Sequence, residues 1–367
     1  MTDVDVAVIG AGFAGLAALH LLRERGLRVR AYDDAGNVGG TWWWHAFPGS
    51  HLDTECHLYQ YFFSEQLYRD WGWSERFPAG YEVQRWLRFV ADRLDLRRDI
   101  RLSTRVVEAV HTDSGQHGEA GWTLRTDRGE TVRARHLVAC TGRTPVEPDL
   151  DVSAFAGLVV RTAAWPEDGH DLFRQRVGIV GTTTATVQLA PTIADRVAHL
   201  TVVADDPRDV APRSNPVYGW QERDAYKARF AELRDAPPPG AAPVPDRDAM
   251  RLRLGGDRRL AEQLVPDGDP GRVVLDSGWL ELFSRGDVGL VALGEVARVR
   301  AEGLELTDGS VVALDVLVVA DEFDAGPPAW EGIEAHPSLF TVVARPGRLP
   351  GLDLQEQVAA VVGTLAP

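Results

Sequence analysis

Apolar residues fall along the chain in short blocks of two alternating kinds. The first, Asp5 to Ile9 (DVAVI), is a continuous apolar run of strand length, as a parallel strand buried on both faces requires. After a glycine-rich gap, LAALHLLRERG carries its apolar residues at helical spacing and stops at Gly26. LRVRAYD, closing on Asp33, predicts a second strand. The same strand, turn, helix and strand return at RVGIVGTTTATVQLAPTIA and LTVVADDP. Farther on, VGLVAL, ARVRAEGLELTDGSVVA and LDVLVVA predict short strands. The alternation predicts an α/β fold with two Rossmann-like units on parallel sheets.

The first gap reads Gly10-Ala11-Gly12-Phe13-Ala14-Gly15, directly between strand and helix. This is the context that a dinucleotide fingerprint needs. Gly10 is expected to make the tight turn, Gly12 to let backbone approach a pyrophosphate, and Gly15 to let helix pack on strand. Asp33, 18 residues after Gly15, stands where an acid accepts hydrogen bonds from a ribose. After the second strand comes Gly39-Gly40-Thr41-Trp42-Trp43-Trp44-His45-Ala46-Phe47-Pro48-Gly49-Ser50-His51-Leu52-Asp53. Three consecutive tryptophans on a loop are hard to account for by core packing. A flat, apolar ring system beside them accounts for them better and points to FAD.

Composition narrows the class further. The chain has 367 residues, 44% hydrophobic and 25% charged, the balance of a globular enzyme with ample core. A net charge of −15 leaves no footprint for a phosphate backbone, so nucleic acid is not an expected partner. Cys56 and Cys140 lack CxxC partners, so neither a disulfide framework nor a metal site is expected. The N-terminal stretch has no basic region, and its apolar runs are broken by glycines, so neither signal peptide nor membrane span is expected. A cytoplasmic enzyme fits.

The tryptophan loop resembles the GGTWYWNRYPGxxxD loop of class B flavoprotein monooxygenases, in particular Baeyer–Villiger monooxygenases. The resemblance is continuous over residues 4–166 and includes Cys140-Thr141-Gly142 at the family's ATG position. It implies an FAD-binding domain in two parts, 1–150 and 322–367. A nicotinamide-type domain, 151–321, is inserted between them with a short helical insert, 214–271. It also implies that Gly40, Thr41, Trp42, Thr141 and Gly142 join Gly10, Gly12, Gly15, Asp33 and Asp53 in holding FAD. Arg272, opening RVVLDSGWLELFSRGDVGLV, matches the family arginine that lies over the flavin and stabilises a negative C4a-peroxide. Asp53 matches its carboxylate partner. A permanent cation suits that task, because arginine does not titrate and a carboxylate can orient its fork.

The middle segment departs from the family. In FxGxxxHxxxWP, Phe155, Gly157, Trp165 and Pro166 are kept, but Arg161 replaces the histidine tied to NADPH-dependent turnover. In the second fingerprint Thr183 replaces a glycine. Asp205, with Asp206 beside it, stands where an arginine would hold the NADP 2′-phosphate. Residues 214–271 are shorter than the family's insertion and include APPPGAAPVP, which reads as an extended linker. The second ATGF motif survives only as Val319-Ala320-Asp321-Glu322-Phe323. The expectation is an FAD-dependent oxygenating enzyme of secondary metabolism acting on a small hydrophobic or polyketide-like molecule, with NAD(P)H use doubtful. Electrons would come from NADH, a separate flavin reductase or the substrate. The alternatives are a flavin-dependent oxidase and a non-redox flavoprotein catalysing cyclisation, dehydration or rearrangement.

Overall fold

The opening run forms strand Val4–Ile9, and Val4, Val6, Ala7 and Val8 are buried because other layers cover the sheet. A computed structural model describes residues 3–113, 120–143, 145–146, 150–166, 168–204, 206–236, 244–268, 273–323, 336, 338–345 and 348–365. Val4–Ile9 lies parallel between Val29–Tyr32 and Thr131–Ala139, with Val6 opposite Val29 and His136. Ile100–Arg101 extends one edge, and Gly121–Thr126 and Val106–Thr112 continue the other as an antiparallel meander. Leu339–Thr341, from near the C-terminus, joins the sheet beside Leu137–Ala139. The helix after the glycine turn, Phe13–Glu24, buries Leu16, Leu19 and Leu22 and ends before Gly26, whose φ of 78° suits glycine at a helix stop. It packs against the last helix, Pro350–Thr364.

The second sheet has five parallel strands in the order Val288–Ala292, His199–Ala204, Arg176–Val180, Val316–Val319 and Leu158–Arg161. Both sheets therefore carry the Rossmann-like arrangement that the periodicity predicts. Helix Thr184–Ile193 covers the second sheet, and a three-stranded antiparallel unit, Val296–Arg300, Gly303–Leu306 and Val311–Ala313, sits between its last strands in sequence. The segment 214–271 contributes helices Trp220–Ala228, Phe230–Asp235, Arg247–Arg253 and Arg258–Leu264. Most of APPPGAAPVP lies outside the described residues.

The tryptophan loop fastens the two sheets together. The Gln188 side chain, on helix Thr184–Ile193, accepts from the His51 amide (3.1 Å) and donates to the His51 carbonyl (3.3 Å). Gly49 has φ 84° and leaves no room for a side chain: a Cβ would lie 2.4 Å from the Gln188 carbonyl oxygen. The Trp165 amide donates to the Trp44 carbonyl (2.9 Å), tying the linker to the same loop.

Candidate cofactor and active site

The C-terminal ends of the first sheet's parallel strands open into a cleft of about 860 Å³. Gly10 turns the chain with φ 102°, and a Cβ there would meet the Cys140 carbonyl oxygen at 2.4 Å. A Cβ on Gly15 would meet the Gly10 carbonyl oxygen at 1.9 Å, so helix and strand pack backbone to backbone. Gly12 faces Gly40, and a Cβ on Gly12 would lie 3.1 Å from the Gly40 Cα. Gly12 is also the N-cap of Phe13–Glu24, and no side chain caps that terminus. The first-turn amides and the positive end of the helix dipole are thus presented at the cleft, which is what an anionic diphosphate binds.

Asp33 lines the cleft beyond the turn. Its carboxylate accepts from the backbone amides of Ala11 and Ala35 (2.8 Å to the latter). Burial pushes its pKa up, and those two amides oppose the rise. Thr104, Arg105 and Val106 line the cleft as well. Further walls are Thr41, Trp42, Trp44, His45, Asp53, Tyr59 and Val342 to Ala344. Thr41–Trp44 is one helical turn within the tryptophan loop, started by Gly40 at φ 54°. Trp42 donates Nε1–H to the Tyr59 hydroxyl (3.0 Å), and burial pushes the Tyr59 pKa up to about 12, so it stays a neutral phenol. Trp43 packs instead on the backbone of Gly36 and Gly39. The aromatic run therefore divides: two indoles face the cleft and one braces the loop.

Thr141 and Gly142 (φ 73°) also line the cleft, and Cys140 beside them is a buried thiol held protonated by desolvation. Of the residues singled out in the sequence, Gly10, Gly12, Asp33, Gly40, Thr41, Trp42, Asp53, Thr141 and Gly142 all meet here. Gly15 stands behind the wall, packed on Gly10. Arg272 and Asp205 lie outside the described residues.

The departures in the middle segment form a connected structure. Arg161 pairs with the buried carboxylate of Asp321. Asp321 also accepts from the Ala163 amide (2.9 Å) and the Thr162 hydroxyl (3.3 Å), and its own amide donates to Thr162 Oγ1 (2.9 Å). Two substitutions read separately in the sequence are thus two halves of one ion pair. At the second fingerprint, Thr183 caps Thr184–Ile193 by accepting from the Thr186 amide (3.4 Å). Thr186 Oγ1 donates to the Gly181 carbonyl, Thr182 Oγ1 to the Asp206 carbonyl, and Arg208 Nε to the Thr182 carbonyl (2.9 Å). This helix terminus is closed on itself, in contrast to the open one at Gly12.

The sequence reading also passed over His45, which lines the cleft and is bridged along the backbone to Trp165. Burial pulls its pKa down to about 4, with Asp321 opposing. The available signal was its place in the loop, where the GGTWYWNRYPG pattern has asparagine.

The family model described as pyridine nucleotide-disulphide oxidoreductase matches residues 4–224. The chain is 36% identical to the acetone monooxygenase (methyl acetate-forming) of Gordonia sp. strain TY-5, over 99% of this chain and 77% of that protein. The alignment runs over 425 positions, more than this chain contains, so the relative carries internal segments that are missing here. A Baeyer-Villiger monooxygenase of Pseudooceanicola batsensis is 33% identical over 88% of this chain and 69% of its own. Among solved structures, an oxidised steroid monooxygenase bound to NADP superposes with a TM-score of 0.84 at 30% identity, covering 100% of this chain and 85% of that one. A cyclohexanone monooxygenase bound to ε-caprolactone gives 0.87 at 28% identity over 99% and 87%. The open fingerprint, the tryptophan loop and the paired sheets belong together for one reason: the chain is a member of the pyridine nucleotide-disulphide oxidoreductase family and, within it, of the class B flavoprotein monooxygenases.

Proposed function

We propose that the protein is an FAD-dependent monooxygenase that inserts oxygen beside a carbonyl, or transfers it to a heteroatom, of a small hydrophobic molecule. We further propose that it is reduced poorly by NADPH. The observation that carries the reading is the contrast between the two fingerprint helices: one opens uncapped onto a deep cleft, and the other is closed by Thr183. The residues present fit FAD. The Phe13–Glu24 amides and Gly12 would hold the pyrophosphate, Asp33 the adenosine ribose, and Trp42, Trp44 and Asp53 would flank the ring system. Reduced FAD supplies the activation of O₂. The protein's share is to exclude water with aromatic walls and to place charge. Arg272 contributes the permanent cation, and Asp53 orients it. The division into residues 1–150 with 322–367, and 151–321 with its insert 214–271, is part of this reading.

The Arg161–Asp321 pair and the self-capped helix support electrons arriving from NADH, from a separate flavin reductase or from the substrate. The overall reaction balances as ketone plus O₂, two electrons and two protons giving ester and water. The test is to purify the protein with FAD and supply reduced flavin through a separate reductase. Product formation from acetone, cyclohexanone and sulfide probes is then measured under air. Ester, lactone or sulfoxide that depends on reduced FAD supports the reading. A protein that takes up no FAD at micromolar concentration, or holds it yet makes no oxygenated product, refutes it and favours the non-redox alternative.

A further inference from the structure

His45, which has no role in the reading above, lies where the tryptophan loop touches the linker that carries Arg161. His45 lines the cleft beside Trp44 and is half-buried. Its backbone is bridged to Trp165, and Ala163, two residues before Trp165, lines the same cleft. Asp321 holds this linker in place through the Ala163 amide, the Thr162 hydroxyl and Arg161. A buried carboxylate is tolerated only when paired, and Arg161 supplies the countercharge. Facing His45 is Asp321, whose charge is paired with that of Arg161. The two charges compensate one another, and burial leaves the imidazole neutral at physiological pH. A neutral imidazole offers one donor and one acceptor. That suits an uncharged carbonyl compound, whereas a bare cation at this wall would select carboxylates.

We propose that His45 is a further residue of the reaction site, donating a hydrogen bond to the carbonyl oxygen of a ketone held against the tryptophan-loop wall of the cleft, with Arg161 and Asp321 as its positioning pair. The inference rests on the FAD-monooxygenase reading, and its failure is separable from the failure of that reading. The oxidised, FAD-loaded protein is titrated with cyclohexanone and acetone, and binding is followed by the perturbation of flavin absorbance. His45→Ala is expected to raise the Kd about tenfold, the scale of one lost hydrogen bond, while His45→Gln, which keeps a donor, stays within about threefold. Both variants should hold FAD as the wild type does.

The positioning pair is tested by a cycle. Arg161→Met with Asp321→Asn removes both charges together and should weaken ketone binding, with no further loss when His45→Ala is added. If that variant fails to fold, Arg161→Lys, which keeps the charge and loses the planar fork, replaces it in the same cycle. Full additivity with His45→Ala overturns the positioning role. A His45→Ala protein that binds ketone like the wild type, or loses FAD and ketone in parallel, overturns the role of His45. So does a wild-type holoenzyme that binds neither ketone. A wild-type protein that takes up no FAD refutes the monooxygenase reading instead.

Discussion

Replacing Gly12 by valine separates cofactor binding from folding, because the three fingerprint glycines face different neighbours. Gly12 has φ −82°, a conformation open to any residue, so a side chain there brings no backbone strain. Its Cβ would lie 3.1 Å from the Gly40 Cα, a contact relieved by a shift of a few tenths of an ångström. The expected loss of stability is about 1–3 kcal/mol, the scale of modest overpacking. Gly15→Ala differs: its Cβ would sit 1.9 Å from the Gly10 carbonyl oxygen. Carbon–oxygen contacts settle at about 3.3–3.6 Å, so helix Phe13–Glu24 would have to retreat by more than about 1 Å. That retreat disrupts the packing of Leu16 and Leu19 on the sheet.

For Gly12→Val the main effect falls on FAD. The methyl groups stand where phosphate oxygens must reach the first-turn amides. Each amide–phosphate bond is charge-assisted and worth about 1.5–3 kcal/mol. Losing two weakens FAD by about 3–6 kcal/mol, or about 10²–10⁴-fold in Kd. The assay pairs FAD titration, by quenching of flavin fluorescence, with the melting temperature of the apoprotein. The expected outcome is an apo Gly12→Val protein that melts within several degrees of the wild type and binds FAD at least a hundredfold more weakly, beside a Gly15→Ala protein that is grossly destabilised. FAD affinity unchanged in Gly12→Val would refute the assignment of this cleft.

NADPH should reduce the bound flavin slowly and without saturation at low micromolar concentration in stopped-flow absorbance, because Thr183 already satisfies the helix terminus that a pyrophosphate would use; fast, saturating reduction would contradict this. Arg272→Ala should leave FAD bound and the melting temperature unchanged while turnover per bound FAD falls about 10²–10³-fold, the usual loss for one electrostatic stabiliser, with Asp53→Ala milder and in the same direction. Unchanged turnover would make the pair a structural bridge. Burial pushes the Asp353 carboxyl up, but the Arg345 guanidinium and amide outweigh it and hold it below its ordinary value. Its contribution to stability is therefore complete above the unfolded value of about 3.9 and is lost as pH falls below it, and Asp353→Ala should flatten that acid limb of the melting curve.

The sequence by itself determined what depends on neighbours within some thirty residues. Strand and helix periodicity, the turn at Gly10, the helix stop at Gly26 and the acid at Asp33 are local matters of sterics and spacing, and each lies where its pattern put it. The open helix terminus at Gly12 was legible for the same reason, since glycine there offers no capping side chain. Tertiary structure alone decided what depends on which strands lie side by side. Val316–Val319 runs parallel to Leu158–Arg161 with Val319 opposite Arg161, so Asp321, two residues on, arrives at Arg161 across 160 positions of sequence. In the sequence those were two unrelated losses; in the fold the partly exposed guanidinium is the reason that the carboxylate can be buried. The same holds for Gly12 against Gly40, Gly49 against Gln188, and the division of labour among Trp42, Trp43 and Trp44. A side chain's facing is set by the layer packed against it, and no local pattern contains that layer.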